Sequence, residues 1–285
     1  MKKLLFILIA SCIGLIGCIN NGENKGEGNT TIVTPSLPYG AFLGRDNNNT
    51  KDFEKYEYLS FDFEEYEEST IRKLESNGNH CMGYLNVGSI ENYRDYYQRF
   101  ESSTFADYEN WKDERWIDVS NPSWQTFVIN TLAKNIKNKG GYGVYMDNVD
   151  VYSICKEHPS MKNRLSEIAE GLKKIIKGVN ELGLKVMVNG GAEFFEEQNG
   201  VITDIWAYHQ EEVFTLIVNY DADVFTTQTE DDKQYYLEIA KKMKDAGKEV
   251  FFLEYTKHEG VTRQIESYCK LANYKYYVST TVGLY

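Results

Sequence analysis

Carboxylates, amides and a tyrosine stand at the ends of short apolar segments along the whole sequence. A short apolar segment that ends in a polar side chain is typical of a buried strand whose last residue reaches a functional surface. Acids and amides in such positions can bind a substrate or exchange protons with it. The residues at these ends are Asp62, Tyr84 and Asn86, Asp147 and Asp150, Asn189, Glu211 and Glu212, and Glu254.

Asp147 is the first candidate for a catalytic group. It directly follows the apolar segment 142–146. A carboxylate in this position loses its hydration, which is unfavourable unless a partner or a substrate binds to it. Glu254 ends the segment 249–253 in the same way. The alternative interpretation of Asp147 is a structural cap or a hydrogen-bond anchor.

Two carboxylates that face each other across a cleft are the groups that glycosidic cleavage requires. One donates a proton to the leaving oxygen, and the other attacks the sugar or activates a water molecule. Aromatic rings that stack on sugars fit the same chemistry, and Trp116 and Trp206 are the candidates we retain. The alternative for both rings is packing in the core, where most aromatic residues lie.

The apolar segments alternate with helical patterns, which indicates parallel strands joined by right-handed crossovers. Eight such segments in one domain favour an α/β fold with a single closed (β/α)8 TIM barrel, in which functional residues come from the carboxyl ends of the strands. The alternative is an open doubly wound sheet, but its usual glycine-rich phosphate loop is missing. The predicted strands are Tyr39–Leu43, Tyr58–Phe61, His80–Val87, Tyr142–Met146, Lys185–Val188, Asp204–Tyr208, Glu249–Leu253 and Tyr276–Ser279.

Helices are predicted between several of these strands. Their sequence limits are Asn121-Pro122 to Ile136, about Ser160 to Leu182, Asp231 to Gly247, and Gly260 to Leu271. We interpret the segment Asp223–Gln228 as an excursion before a helix and not as a ninth barrel strand.

Longer motifs surround the polar strand ends. Residues 141–150 read Gly-Tyr-Gly-Val-Tyr-Met-Asp-Asn-Val-Asp, and 189–194 read Asn-Gly-Gly-Ala-Glu-Phe. Tyr-Leu-Asn at 84–86 precedes Tyr-Arg at 93–94, while Glu-Glu-Val-Phe at 211–214 precedes Phe-Leu-Glu-Tyr at 252–255. In this order, over most of Tyr39 to Tyr285, the motifs resemble glycoside hydrolase family 114, the endo-α-1,4-polygalactosaminidase-like proteins with a TIM-barrel fold.

The resemblance implies a site as well as a fold. It implies that Asp147 and Glu211 are the catalytic carboxylates, without saying which is the nucleophile. Glu212 stays an alternative to Glu211, and Glu254 stays an alternative partner for Asp147. The cleft residues that it implies are Tyr84, Arg94, Asp150, Asn189 and Glu254.

The N-terminal segment 1–17 has the composition of a signal peptide. Lys2 and Lys3 precede an apolar run too short to span a bilayer, and Leu15-Ile16-Gly17-Cys18 resembles a lipoprotein box. We expect export and a lipid anchor at Cys18 that holds the protein to the outer side of the membrane. An ordinary signal peptide or an uncleaved anchor is the alternative. Residues 18–34 predict a flexible linker, and residues 35–285 predict one domain.

The net charge of −12 argues against nucleic acid as a partner, since phosphates would be repelled. It could favour a cationic polymer of free amino sugars, although acidity can also serve solubility alone. Three cysteines and four histidines are scattered through the domain, so we predict no zinc site. We expect a monomer without a cofactor, because two carboxylates suffice for glycosidic cleavage.

The sequence therefore predicts a tethered glycosidase that cleaves an extracellular polysaccharide, with galactosamine as one candidate sugar. One rival is a carbohydrate-binding lipoprotein that kept the barrel and lost turnover. The other is a hydrolase in which Asp147, Asp150 and Glu254 hold a divalent cation, since oxygen ligands suit magnesium or calcium.

Overall fold

The computed structural model describes residues 34–45, 50 and 52–285. The predicted signal peptide, Cys18 and the linker up to residue 33 lie outside these residues. Within the described part of the chain, no helix is long and apolar enough to cross a membrane.

Eight parallel strands form a nearly closed barrel, as predicted. The first and last strands lie side by side and complete the circle. Numbered along the chain, and in their order around the barrel, these strands are β1 (Leu37–Phe42), β2 (Tyr56–Phe61), β3 (His80–Asn86), β7 (Gly143–Asp147), β8 (Lys185–Asn189), β9 (Ala207–Glu211), β12 (Glu249–Tyr255) and β13 (Lys275–Ser279).

Two groups of buried side chains stabilise the barrel because strand residues alternate between its inside and its outside. Tyr39, Met82, Tyr145 and Phe251 belong to the group that fills the inside. A larger group, to which Val144, Val186 and Phe252 belong, packs between the strands and the surrounding helices.

The helices surround the barrel. Their limits agree with the predicted ones to within two residues, except that the helix predicted from about Ser160 begins at Leu165. Asn121 caps α3 (Pro122–Phe127) by accepting a hydrogen bond from the Ser123 N–H, and Pro122 is the first residue of this helix. The helix continues through a π-helical stretch, Val128–Ala133, into α4 (Lys134–Asn138). The helices are α1 (Glu68–Ser76), α2 (Tyr97–Phe100), α3 (Pro122–Phe127), α4 (Lys134–Asn138), α5 (Val151–Glu157), α6 (Leu165–Glu181), α7 (Ala192–Glu197), α8 (Glu230–Asp245) and α9 (Glu259–Ala272).

Two small antiparallel sheets are inserted after barrel strands. β4 (Ser89–Glu91), β5 (Thr104–Asp107) and β6 (Glu114–Ile117) follow β3. β10 (Thr215–Asn219) and β11 (Val224–Thr227) form a hairpin after β9. The segment 223–228 therefore lies outside the barrel, as interpreted, but four of its residues are a strand.

The sixth barrel strand begins later than predicted. We expected Asp204–Tyr208, whereas Asn199–Asp204 is a 3-10 helix and β9 runs from Ala207 to Glu211. The buried residues Val201, Ile202 and Ile205 belong to the turn that leads into the strand, so their apolar character does not mark strand residues. Glu211 is consequently the last residue of the strand.

Candidate active site

Three adjacent strands each end in a polar residue, and these residues meet at the mouth of the barrel. Asp147 ends β7, Asn189 ends β8 and Glu211 ends β9. The Nδ2 atom of Asn189 donates to Asp147 Oδ1 at 2.9 Å and to Glu211 Oε1 at 2.8 Å. One amide group therefore bridges the two carboxylates.

This bridge limits the distance between the two acids. Because both bonds start from the same nitrogen, the Oδ1 atom of Asp147 and the Oε1 atom of Glu211 are no farther apart than the sum of the two bond lengths, 2.9 Å and 2.8 Å. In retaining glycosidases the two carboxyl groups are about 5–5.5 Å apart, whereas inverting enzymes leave roughly 6.5–9.5 Å for a water molecule. This upper limit on the two bridged oxygens lies below the range of inverting enzymes.

The environments of the two acids differ. Burial, and next the charge of Asp147, raise the pKa of Glu211 to about 7, although the hydrogen bonds from Tyr255, Tyr145 and Asn189 lower it. Burial also raises the pKa of Asp147, and the hydrogen bonds from Asn189, Asn148 and Tyr84 oppose that rise. A carboxyl group whose pKa is close to 7 can hold a proton and donate it near neutral pH.

Three tyrosines donate to the pair. The Tyr84 hydroxyl donates to Asp147 Oδ2 at 3.1 Å, and the hydroxyls of Tyr145 and Tyr255 donate to Glu211 at 3.0 Å and 2.5 Å. Burial is the main cause that raises the pKa of each phenol well above its usual value, so all three stay protonated. Tyr145 is not among the predicted site residues, although a strand period of two places it on the same face as Asp147.

A left-handed residue follows each of the two carboxylates. Asn148 has φ of 62° and Glu212 has φ of 58°, a conformation that costs free energy for glutamate and often occurs at functional sites. The turn at Glu212 directs its carboxylate to the backbone N–H of Ile217 in β10. Of the two adjacent glutamates, Glu211 is thus the one that contacts Asn189 and the tyrosines.

Asp150 lies at the same mouth, beside the loop that follows β8. It accepts a hydrogen bond from the Gly191 N–H at 2.9 Å. A Cβ atom on Gly190 would lie 2.0 Å from Asp150 Oδ2, so only glycine permits this approach. The Asn-Gly-Gly motif therefore places both Asn189 and Asp150.

Asp62 and Arg94 form a buried ion pair at one side of the cleft. Arg94 Nη1 lies 2.8 Å from Asp62 Oδ2, and Nη2 contacts Glu91. Asp62 also caps the short helix that follows β2. The Arg94 guanidinium lies 6.0 Å from the centre of the Tyr84 ring. The ion pair is therefore close to Tyr84, whose hydroxyl donates to Asp147.

Glu254 does not face Asp147. Its two oxygens accept hydrogen bonds from the N–H groups of Val213, Phe214 and Thr215 and from the Thr215 hydroxyl. The side chain is fully buried, and it anchors the turn after Glu211. Asp147, Asp150 and Glu254 are therefore not brought together as an ion site, and the described residues contain no group of three potential metal ligands.

The structure places Trp206 at the opposite end of the barrel. Trp206 precedes β9, and its ring contacts Tyr58, Tyr142 and Phe251 at centroid distances of 5.4–5.7 Å. It therefore packs at the amino end of the strands, which corrects its expected position in the cleft. Trp116 is also buried, stacked under Tyr108 at 4.4 Å.

The cleft has a volume of about 630 Å³ and is strongly acidic. The two inserted sheets meet above it, since the rings of Trp111 and Tyr220 contact each other at 5.7 Å. Arg94 and Lys112 are the basic residues of its lining. The acids of the lining are Asp62, Glu91, Asp113, Glu114, Asp147, Asp150, Glu211 and Glu212.

A (β/α)8 barrel with two facing carboxylates at its carboxyl end is the arrangement found in TIM-barrel glycoside hydrolases. The chain belongs to glycoside-hydrolase family GH114, which it matches over residues 24–282. The resemblance of the motifs is thereby confirmed. An uncharacterized protein of Methanocaldococcus jannaschii is 23% identical over 228 residues, which cover 75% of this chain and 64% of that protein.

Two solved structures share the fold. The glycoside hydrolase domain of PelA from Pseudomonas aeruginosa has a TM-score of 0.71 at 17% identity, with 88% of this chain and 96% of that domain covered. Ega3 of Aspergillus fumigatus, in complex with galactosamine, has a TM-score of 0.69 at 18% identity, with 91% and 97% covered.

Proposed function

We propose that the protein is a glycosidase that cleaves an extracellular polysaccharide with Asp147 and Glu211. The observation that carries this proposal is the amide of Asn189, which donates to both carboxylates at 2.9 Å and 2.8 Å and so holds their oxygens within two hydrogen-bond lengths of each other. This separation suits double displacement at a sugar carbon.

The roles of the two acids follow from their surroundings. Burial and the charge of Asp147 raise the pKa of Glu211 to about 7, which suits a proton donor, and we assign the other role to Asp147. As nucleophile it attacks the anomeric carbon, while Glu211 gives its proton to the leaving oxygen as the glycosidic bond breaks. In the second half, Glu211 takes a proton from water, the water oxygen bonds to the anomeric carbon, and Asp147 leaves.

The proposed substrate is a polymer that contains galactosamine with free amino groups, cleaved at internal linkages. Eight acids and two bases line the cleft, and this excess of negative charge attracts ammonium groups. The family match and the galactosamine bound to Ega3 support the same sugar.

We also propose that the protein acts outside the cytoplasm, anchored by a lipid on Cys18. The support is the sequence of the N-terminal segment that ends at Cys18. Metabolic labelling with palmitate in a bacterial host tests the anchor. Label in the wild type and none in Cys18→Ser is the expected result, and equal label in both would contradict it.

The test of activity is hydrolysis of a deacetylated galactosamine polysaccharide by the wild type, Asp147→Asn and Glu211→Gln. We expect shortened chains of intermediate length from the wild type alone. Polymer that binds to the wild type but is never cut would contradict the proposal and favour a binding protein.

A further inference from the structure

His209 lies in the barrel directly behind the catalytic pair. It is fully buried on β9, two residues before Glu211 and opposite Asn189 in the pairing of β8 with β9. The edges of its ring pack against Tyr39 and Tyr145, at 5.5 Å and 4.9 Å. Its Nδ1 atom lies 2.7 Å from Asn189 Oδ1.

We propose that His209 is a positioning residue whose Nδ1–H fixes the Asn189 amide, so that the NH₂ group faces Asp147 and Glu211. This inference rests on the proposed function. An asparagine amide has nearly the same shape in its two orientations, which differ in where the oxygen and the nitrogen lie. A donor behind Oδ1 selects one of them.

The reversed orientation would be unfavourable on both sides of the amide. Oδ1 would then face the ionised carboxylate of Asp147, which only accepts hydrogen bonds. The contact between Asn189 and Asp147 would become a repulsion. With Nδ1–H behind it, the carbonyl of Asn189 has its acceptor role satisfied, and both N–H bonds are free to donate forward.

The ring performs this role without adding charge. Burial lowers the pKa of His209 to about 3, so the imidazole is neutral and carries one proton. Because a carbonyl oxygen only accepts, an Asn189 amide whose Oδ1 faces the ring places that proton on Nδ1. Burial is the largest cause that raises the pKa of both carboxyl groups, and the hydrogen bonds from Asn189 oppose this rise, so the orientation of this amide contributes to the protonation of the pair.

The first test measures the tautomer of His209 in the intact wild-type protein by ¹⁵N NMR of labelled histidine, with the signal assigned by its loss in His209→Asn. A proton on Nδ1 is the expected result. A proton on Nε2 would overturn the inference, since Nδ1 would then accept from a reversed amide. This measurement needs no substrate, so it stands apart from the success of the proposed function.

The second test compares His209→Asn with His209→Leu. The Asn and Leu side chains have the same branched skeleton, so both variants leave the same space beside Asn189. Asn also carries an N–H donor, which is the same number of bonds from Cα as Nδ1 of the histidine that it replaces. We expect kcat of the Leu variant to be about tenfold below that of the Asn variant, with KM unchanged. Both limbs of the pH–rate profile should move to higher pH in the Leu variant only.

Equal kcat and equal pH profiles for these two variants would show that His209 serves only to pack the barrel, and would overturn the inference. An Asn189→Ala background provides the control, since the difference between Asn and Leu at 209 should disappear there. If the Leu variant does not fold, the tautomer of the wild type decides the question by itself.

Discussion

Asp147 and Glu211 accept hydrogen bonds from one nitrogen of Asn189, at 2.9 Å and 2.8 Å, although the two acids end strands that are separated by β8. We predict that hydrolysis proceeds with retention at the anomeric carbon, because this gap suits direct attack by a carboxylate. Proton NMR of the first product formed from an anomerically pure substrate measures the outcome. Initial release of the opposite anomer would show that the two acids act on a water molecule instead.

Glu211→Gln should lower kcat by about 100-fold to 10,000-fold, because it removes the proton donor. The loss should be much smaller for a substrate whose leaving group is a stable phenolate, since such a group departs without protonation. The matched control is Glu212→Gln. The carboxylate of Glu212 contacts the backbone of Ile217, and a glutamine oxygen can still accept that bond, so kcat should stay near the wild-type value. A larger loss at Glu212 than at Glu211 would reverse our assignment.

The pH–rate profile should be bell-shaped. Glu211 must be protonated to donate, and its pKa is raised to about 7, so kcat/KM should fall as the pH rises through about 7. On the acidic side of the maximum, kcat/KM should fall as the pH decreases, because the nucleophile Asp147 gains a proton.

Tyr255→Phe should move the alkaline limb to higher pH. The Tyr255 hydroxyl donates to Glu211 and lowers its pKa, so its removal leaves the carboxyl group protonated over a wider range. Tyr274→Phe, which alters a ring packed against Phe252 outside the barrel, serves as the control. An unchanged limb in Tyr255→Phe would mean that Glu211 is not the group that titrates.

Glu254→Ala should destabilise the fold by about 3 kcal/mol, because it leaves the buried N–H groups of residues 213–215 without an acceptor. Urea unfolding measures the free energy. Glu249→Gln, at the other end of β12, removes a partly exposed ion pair with Lys275 and should cost less than about 1 kcal/mol. Equal stability of the two variants would contradict the anchoring role of Glu254.

Trp111→Ala should raise KM for a long polymer by roughly fivefold, the equivalent of about 1 kcal/mol for one aromatic contact. The rings of Trp111 and Tyr220 meet above the cleft, where a bound chain would contact them. KM for a short aryl glycoside should change less. Trp206→Phe, at the opposite end of the barrel, should leave both values near the wild type. A rise in KM for Trp206→Phe alone would show that the tryptophan of the cleft was misassigned.

The barrel and most of its polar rim follow from local patterns in the sequence. Eight apolar segments separated by helices leave few ways to bury both faces of a sheet. Asp147 and Asn189 end their strands as predicted, since the change from apolar to polar residues marks the end of a buried strand. The capped start of α3 at Asn121-Pro122 was equally local and equally predictable.

Which of these polar groups meet depends on contacts between segments that are distant in the sequence. Glu254 ends an apolar segment much as Asp147 does, yet backbone N–H groups from a turn 39 residues earlier in the chain enclose it. Trp206 and Glu211 are close in sequence but lie at opposite ends of one strand, because β9 starts later than its apolar pattern suggested. The Oδ1 atom of Asn189 contacts Nδ1 of His209 from the neighbouring strand at 2.7 Å. Hydrophobic periodicity records which faces are buried, but hydrogen bonds between distant segments form only after the strands have paired in register.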